Sequence, residues 1–579
     1  MNESIFPAAV VVIFSILFLL AGRCSTSGLN IWPKPTSLAW RDSESIFLSP
    51  SFTIKIPSHS QYLRSASRRY RRLILSERYR PLLRPFPPQL PFSTSQHLLS
   101  LSITVRNLSD PLHPTTDESY SLIISDSAST LTATTVWGAI RGLETLYQLV
   151  WWDGDHIVVP TNLDIFDKPL FGHRGVLLDT SRNFYPVRDL KRTIEAMAMN
   201  KLNVFHWHIT DSQSFPIFLP SVPEVAEKGA YSSDMMYSVA DVKSVVRFAM
   251  RRGVRVVPEF DAPGHAASWG GAYPEIVTCA DRFWSPPDSE KLAAEPTPGQ
   301  LNPLRPKTYD VYRNVLRDAA EIFPDSYIHA GADEVSPGCW KTDPTIQTFL
   351  SNNGTLSEVL EIFINTTHSF ISDDLRRTAV YWEDVALSLD VKVGFSSLPR
   401  ETTVLQVYKG SESTKKIVSA GYQVIVSSSD FYYLDCGHGG FTGNDSRYDS
   451  QNVNDGFNYA GGNGGSWCGP FKSWQRVYDY DITYGLEEEE AKLVIGGEVA
   501  LWSEQSDPTV LDARLWPRAS AMAESLWSGN VDELGKKRYA GATNRLNEWR
   551  YRMVHRRIGA EPIQPLWCAY HPTMCNLNQ

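Results

Sequence analysis

Two adjacent carboxylates, Asp333 and Glu334, stand where a short apolar run stops, in the segment SYIHAGADEVSPGCW from Ser326 to Trp340. Neighbouring acids resist ionising together, so such a pair tends to hold one proton and one charge, which suits a general acid beside an electrostatic partner. An isolated Asp-Glu dipeptide is most often a solvated surface pair. Its surroundings here argue otherwise, because Gly331 precedes the pair and Pro337-Gly338 follow it. Successive side chains of a regular strand point to opposite faces, so both acids serve one pocket only if the strand ends or bends there.

Other residues able to do chemistry fall at the ends of similar apolar runs: Asp179 with Arg182, Asp211, His265, Trp382, Tyr408, Tyr433, and Trp502 with Glu504. Acids, an Arg, a His and aromatics together make a sugar site, since ring faces stack on aromatic planes while carboxylates and guanidinium groups bind hydroxyls. Two other readings stay open. His206 and His208 in FHWH share one strand face and, with His265 and Asp333, could hold a catalytic metal, although their place inside a strand favours a packed, hydrogen-bonded role. Glu259 or Asp261 could pair with Glu334 as in a two-carboxylate retaining glycosidase.

The elements that must position these residues alternate in type. After Asp167, eight β-rich segments, HRGVLLDT, LNVFHWHIT, VRVVPEF, SYIHAGAD, TAVYWED, TTVLQVY, YQVIVSS and KLVIGGEVALW, are spaced by helical patterns such as DLKRTIEAMAMN. That alternation predicts a (β/α)8 TIM barrel of the α/β class, whose active site is assembled at the C-terminal ends of its strands. Two long loops, SPPDSEKLAAEPTPGQLNPL after strand 3 and a Gly-rich insertion after strand 7, follow such ends. Before the barrel, FTIKI, LSLSITV and YSLIIS alternate like strands and AIRGLETLYQLV like a helix, predicting a smaller α+β domain. The expected division is residues 1–27 as a signal segment, 28–168 as the N-terminal domain, and 169–579 as the barrel with a C-terminal extension. The Arg-rich stretch Arg68–Arg84 is expected to continue a helix with one solvated face.

Composition bounds the setting. A chain of 579 residues with net charge -9 presents no broad basic surface for phosphate backbones, so nucleic acid is not an expected partner. The apolar run within Phe6–Gly22 has the length of a signal-peptide core, which routes the chain to the secretory pathway, either cleaved or kept as a membrane anchor. Beyond Cys24, the six cysteines Cys279, Cys339, Cys436, Cys468, Cys568 and Cys575 suit an oxidising compartment. Sequence order suggests pairing neighbours, one of about 15 connectivities open to six cysteines. Asn107, Asn353, Asn365 and Asn444 each begin a glycosylation sequon.

As a set, HRGVLLDTSRNFYP, NVFHWHITDSQSFP, VPEFDAPGHAASWG, HAGADEVSPGCW, VIGGEVALWSE and RLWPRASAMAESLW resemble the β-N-acetylhexosaminidases of glycoside hydrolase family 20. The likeness runs in order from His173 to Trp527, and the Gly-rich insertion and signal-like start look most similar to plant secretory members. It implies exo-hydrolysis, with retention, of terminal GlcNAc or GalNAc from glycoconjugates or chitooligosaccharides. The nucleophile is then the substrate's own 2-acetamido oxygen, and no metal or cofactor is needed. Matched motif by motif, Glu334 would be the general acid and base, with the raised pKa of the pair, and Asp333 would orient the acetamido group. Arg182 and Glu504 would bind hydroxyls, Asp211 and His265 would support the acids, and Trp382, Trp502 and Tyr433 would enclose the acetamido group and ring. Two departures touch the GlcNAc-versus-GalNAc preference: Tyr408 stands where many members have a second Trp, and Ser473 where mammalian members have an Asp near O4. Family members often form dimers, and the destinations implied are the cell surface, the extracellular space or the vacuole or lysosome. A catalytically idle sugar-binding protein is the other outcome compatible with this set of residues.

Overall fold

The computed structural model describes residues 29–41, 44–57, 60–83, 97–126, 129–280, 282–285, 290–439, 441, 467–571 and 573–577. The signal-like segment, Asn444 and nearly all of the Gly-rich insertion therefore lie outside the described residues. Among the described residues, no helix is long and apolar enough to cross a membrane.

Eight parallel strands close into a barrel: His173–Asp179, Val204–Thr210, Arg255–Phe260, Tyr327–His329, Thr378–Trp382, Thr403–Val407, Gln423–Val426 and Val494–Leu501. Each falls within one of the eight segments read from sequence, and the last pairs with the first, Glu498 opposite Gly175. Period-two alternation sends one set of side chains outward to the helices and the other inward. The inward set forms layers. Val204, Val257, Tyr327, Val380, Val404 and Ile425 make an apolar floor. Above them lies a buried charged layer, where Glu259 faces His208 at 2.6 Å and His206 and His329 at 3.0 Å, and Glu498 faces His206 at 2.7 Å and His173 at 2.9 Å. The uppermost layer joins Leu177, Trp382, Tyr408, Tyr433 and Ala500, with Trp502 packed against it.

The N-terminal domain is an eight-stranded mixed sheet carrying two helices, Gln61–Ser76 and Val136–Leu149. The first helix stops at Ser76, short of the Arg-rich continuation expected to Arg84, because the backbone leaves helical geometry at Arg78, with φ of 52°, just past the Glu77 cap, and Pro81 beyond has no N–H to donate. This domain docks at the N-terminal ends of the barrel strands through buried charges. Lys201 meets Asp167 at 2.7 Å, and Glu118 accepts from both Arg141 and Arg174. The opposite end of the barrel stays free for a pocket.

The structure pairs Cys279 with Cys339, Cys436 with Cys468, and Cys568 with Cys575. Asn107, Asn353 and Asn365 are exposed.

Candidate active site

The fourth strand ends at His329, and the next residues leave extended geometry: Gly331, Ala332 and Glu334 all have positive φ, between 50° and 70°. That kink brings both acids to one cavity of about 340 Å³ at the C-terminal mouth of the barrel. Gly331 is required there, since a Cβ would sit 1.7 Å from Asp261 Oδ1. The same Asp261 oxygen accepts the Ala332 N–H at 3.0 Å, and Asp384 Oδ2 accepts the Glu334 N–H at 3.1 Å. Two neighbouring carboxylates thus hold the strained backbone in place.

Asp333 is buried, and its Oδ1 accepts no hydrogen bond from the protein. Glu334 is one-third exposed, with Oε2 3.3 Å from His265 Nε2. His265 Nδ1 in turn lies 3.0 Å from Asp211 Oδ1, and Asp211 Oδ2 takes Arg182 at 2.7 Å and His208 at 3.0 Å. The charges differ from the sequence-based expectation that Glu334 holds the raised pKa. Burial, then the Asp261 and Glu334 carboxylates, push Asp333 well above the usual range. Burial also works to raise Glu334, but the His265 hydrogen bond and charge, with Arg182 and Lys409, hold it below its ordinary value. Against burial, the Asp211 and Asp333 carboxylates keep the His265 imidazole protonated well above its ordinary range. In the free site the proton therefore favours Asp333 and the negative charge favours Glu334.

Arg182, Asp211, His265, Tyr408, Tyr433, Trp502 and Glu504 all line this cavity with the two acids. Tyr408 and Tyr433 lie nearly parallel with ring centres 6.4 Å apart, and Trp502 stands 6.2 Å from Tyr433. Trp382 is placed differently: it is fully buried beneath the cavity, donates its indole N–H to Glu259 at 2.8 Å, and packs edge-on against Tyr408 at 5.6 Å. Ser473 does not reach the cavity but caps the helix Trp474–Asp479. The acid on that wall is Asp435, two residues beyond Tyr433, which burial pushes up to about 7.

The site also contains residues that no sequence motif marks, two of them, Glu295 and Trp467, in the cavity lining. Glu295, 2.9 Å from Arg182 Nε, comes from the strand-3 loop, where no motif marks it. Asp384 lies just past strand 5 and accepts from the Tyr408 hydroxyl at 3.0 Å while pairing with Lys409. Trp467, edge-on to Tyr433 at 5.9 Å, is set by the adjoining Cys436–Cys468 disulfide.

The two other readings can be weighed on this geometry. Glu259 is saturated by three histidines and Trp382 below the cavity, so it cannot pair with Glu334 as a nucleophile. Both nitrogens of His206 and of His208 face carboxylates within 3.0 Å, and these charges raise both imidazoles against burial, His206 to about 9. These two histidines are therefore engaged as hydrogen-bonded partners of the buried carboxylates, the packed role that their place inside a strand favours.

Comparison with known proteins agrees with the geometry. The profile "Glycosyl hydrolase family 20, catalytic domain" matches residues 171–530, and "beta-acetyl hexosaminidase like" matches residues 31–149. The chain is 40% identical to "Beta-hexosaminidase 1" of Coccidioides posadasii, over 96% of this chain and 97% of that one. It is 35% identical to "Beta-hexosaminidase subunit beta" of Felis catus, over 96% and 97%. Among solved structures, the chitobiase of Flavobacterium johnsoniae superposes with a TM-score of 0.71 at 26% identity, covering 93% of this chain and 74% of that one. These sequence relatives are fungal and animal. On the match of both domains, the chain belongs to glycosyl hydrolase family 20 and is a glycoside hydrolase.

Proposed function

We propose that the protein is an exo-acting, retaining β-N-acetylhexosaminidase that removes terminal GlcNAc by using the substrate's 2-acetamido oxygen as nucleophile. The observation that carries this reading is the contrast within the acid pair: a buried Asp333 with an unpartnered oxygen beside a partly exposed Glu334, in a pocket walled by Tyr408, Tyr433 and Trp502. An unpaired buried acceptor suits an amide N–H, and an exposed neighbour suits the leaving-group side.

The acetamido N–H donates to Asp333, which turns the carbonyl oxygen toward C1. As the bond to the leaving group stretches, Glu334 gives its proton to the glycosidic oxygen. The carbonyl oxygen closes on C1, and Asp333 carries the negative charge that balances the positive oxazolinium ring. Glu334, now ionised, takes a proton from water as that water attacks C1, and the ring reopens with the β-configuration restored. This needs the proton on Glu334 and the charge on Asp333, the reverse of the free-site bias. Bound sugar supplies the reversal: the amide N–H stabilises ionised Asp333, and exclusion of water from Glu334 disfavours its charged form.

Arg182, Asp435 and Glu504 form the polar end of the cavity and would bind the ring hydroxyls of one terminal sugar, which supports exo action. With an acid rather than Ser473 on that wall, acceptance of both the O4 epimers GlcNAc and GalNAc rests on how Asp435 and Glu504 share the hydroxyl. Three disulfides and three exposed sequons support passage through the secretory pathway. The likeness to plant secretory members rests on the signal-like start and the Gly-rich insertion alone.

The test compares aryl β-GlcNAc, β-GalNAc and β-glucoside with the intact chain, Glu334→Gln and Asp333→Asn. Turnover of acetamido sugars only, lost by roughly 100-fold or more in each variant, is expected. Equal cleavage of the glucoside would refute the reading. Chelator is expected to leave the rates unchanged.

A further inference from the structure

A second recess, of about 810 Å³, lies away from the acid pocket, between the N-terminal helix Gln61–Ser76 and the barrel helix Val239–Met250. Arg64, Arg68 and Arg72 follow one another at i, i+4 spacing and line one side, all exposed. Arg247 and Arg251, likewise four apart and exposed, line the other. Such spacing sets the side-chain roots about 6 Å apart along each helix, comparable to one pyranose repeat. Two contacts hold the walls in register: the Tyr62 hydroxyl donates to Met250 Sδ at 3.2 Å, and Arg69 Nη1 donates to the Arg251 carbonyl at 3.4 Å. Arg69 Nη2 is buried without an acceptor. Arg252 is paired with Glu195, and among the described residues no Asp or Glu lines the recess.

Five exposed arginines, Arg64, Arg68, Arg72, Arg247 and Arg251, face one recess in a chain whose net charge is -9. A local concentration of that kind is a footprint for a polyanion. Sequence alone hid it, because Arg64–Arg72 and Arg247–Arg252 are far apart in the chain and each reads as an ordinary solvated helix face. The shape narrows the partner. The Phe248 ring is covered by the Arg252 guanidinium at 3.4 Å, which leaves the half-buried Tyr62 as the lining aromatic; a concave groove of this kind accepts a linear chain, whereas a membrane surface calls for a projecting face.

We infer that this groove binds an anionic polysaccharide, a chain of carboxylated or sulfated sugars, and so anchors the enzyme on acidic glycan apart from its catalytic pocket. Guanidinium groups pair bidentately with carboxylate or sulfate, and the two arginine rows offer such pairs along the length of the groove.

The experiment measures binding of the full chain at about 0.1 M ionic strength to polygalacturonate, heparin and neutral dextran. Phosphatidylserine vesicles are included as a fourth probe. The intact protein is compared with Arg68→Glu/Arg72→Glu and Arg247→Glu/Arg251→Glu, whose folding is checked by circular dichroism and thermal midpoint. Binding to one or both anionic polysaccharides, absent on dextran and at least tenfold weaker in each folded double variant, is expected. Retention by polygalacturonate alone assigns carboxylated chains, and by heparin alone sulfated ones. Equal binding by the variants, binding to dextran as strong as to the acidic chains, or binding to vesicles and to neither polysaccharide would overturn the inference.

Discussion

His265 Nε2 stands 3.3 Å from Glu334 Oε2 while its Nδ1 stands 3.0 Å from Asp211 Oδ1, so one imidazolium ties the proposed acid to the carboxylate that anchors Arg182. The ring is positively charged in this setting and is a principal reason that Glu334 sits below its ordinary pKa.

Removing that charge has a signed consequence. In His265→Gln the Glu334 pKa rises, so the proton needed for catalysis is retained to higher pH. The basic limb of the kcat/KM profile is expected to move upward while its maximum falls by roughly 100-fold. A lowered maximum with an unmoved limb would leave His265 a purely structural role.

Glu259 tests the charged layer beneath the pocket. Its carboxylate compensates the charge of His206 and His208 with no solvent contact and also faces His329, whose imidazole burial pushes down toward the neutral form. Glu259→Ala leaves buried imidazolium charge unpaired and is expected to cost about 3–5 kcal/mol, read as a lowered thermal midpoint. The layer also sets a pH window. His206 is raised from 6.5 to about 9, so its contribution is full below pH 6.5 and is lost as pH climbs through 9. Glu259 and Glu498 are lowered from 4.5, so theirs is full above pH 4.5 and is lost as pH falls through their folded-state values. Because His173 and His329 in the same layer are lowered and contribute fully only above pH 6.5, the signed expectation is a thermal midpoint that declines from pH 6.5 toward 9. A midpoint that rises over that upper range would contradict this account.

The Cys436–Cys468 disulfide closes the insertion whose ends carry Asp435 and Trp467 into the pocket wall. A bridge spanning 32 residues restricts the unfolded chain by about 3–4 kcal/mol. Replacing both cysteines with Ser is expected to lower the thermal midpoint and, on the proposed reading that Asp435 and Trp467 line the sugar pocket without acting on the bond, to raise KM more than it lowers kcat. Steady-state kinetics on aryl β-GlcNAc separates the two effects.

Much of this architecture is legible in the sequence because it rests on periodicity. The barrel strands are buried on both faces and mostly apolar, and buried strands announce themselves as near-continuous runs. The break at Gly331 marks where the acids leave the strand. What escapes is whatever depends on tertiary approach. Glu295 reaches Arg182 from a loop without periodic signal, and Asp435 was displaced in expectation by Ser473 because the Gly-rich insertion offers no register. The order of the acid pKa values was also misread, since adjacency predicts that one carboxyl rises but not which. Asp261 on a different strand decides that it is Asp333, and His265 that it is not Glu334. Trp382 illustrates the same limit, an aromatic at a strand end that supports the floor rather than lining it.

The central claim is that the substrate's own acetamido oxygen attacks C1 beside Asp333 and Glu334. The most direct measurement is kcat/KM across aryl β-glucosaminides bearing acetyl, fluoroacetyl, difluoroacetyl and trifluoroacetyl groups on N2. Fluorine drains electron density from the carbonyl oxygen, so the account predicts a steep fall with each added fluorine, whereas rates that stay level across the series would place the nucleophile on the protein and contradict it.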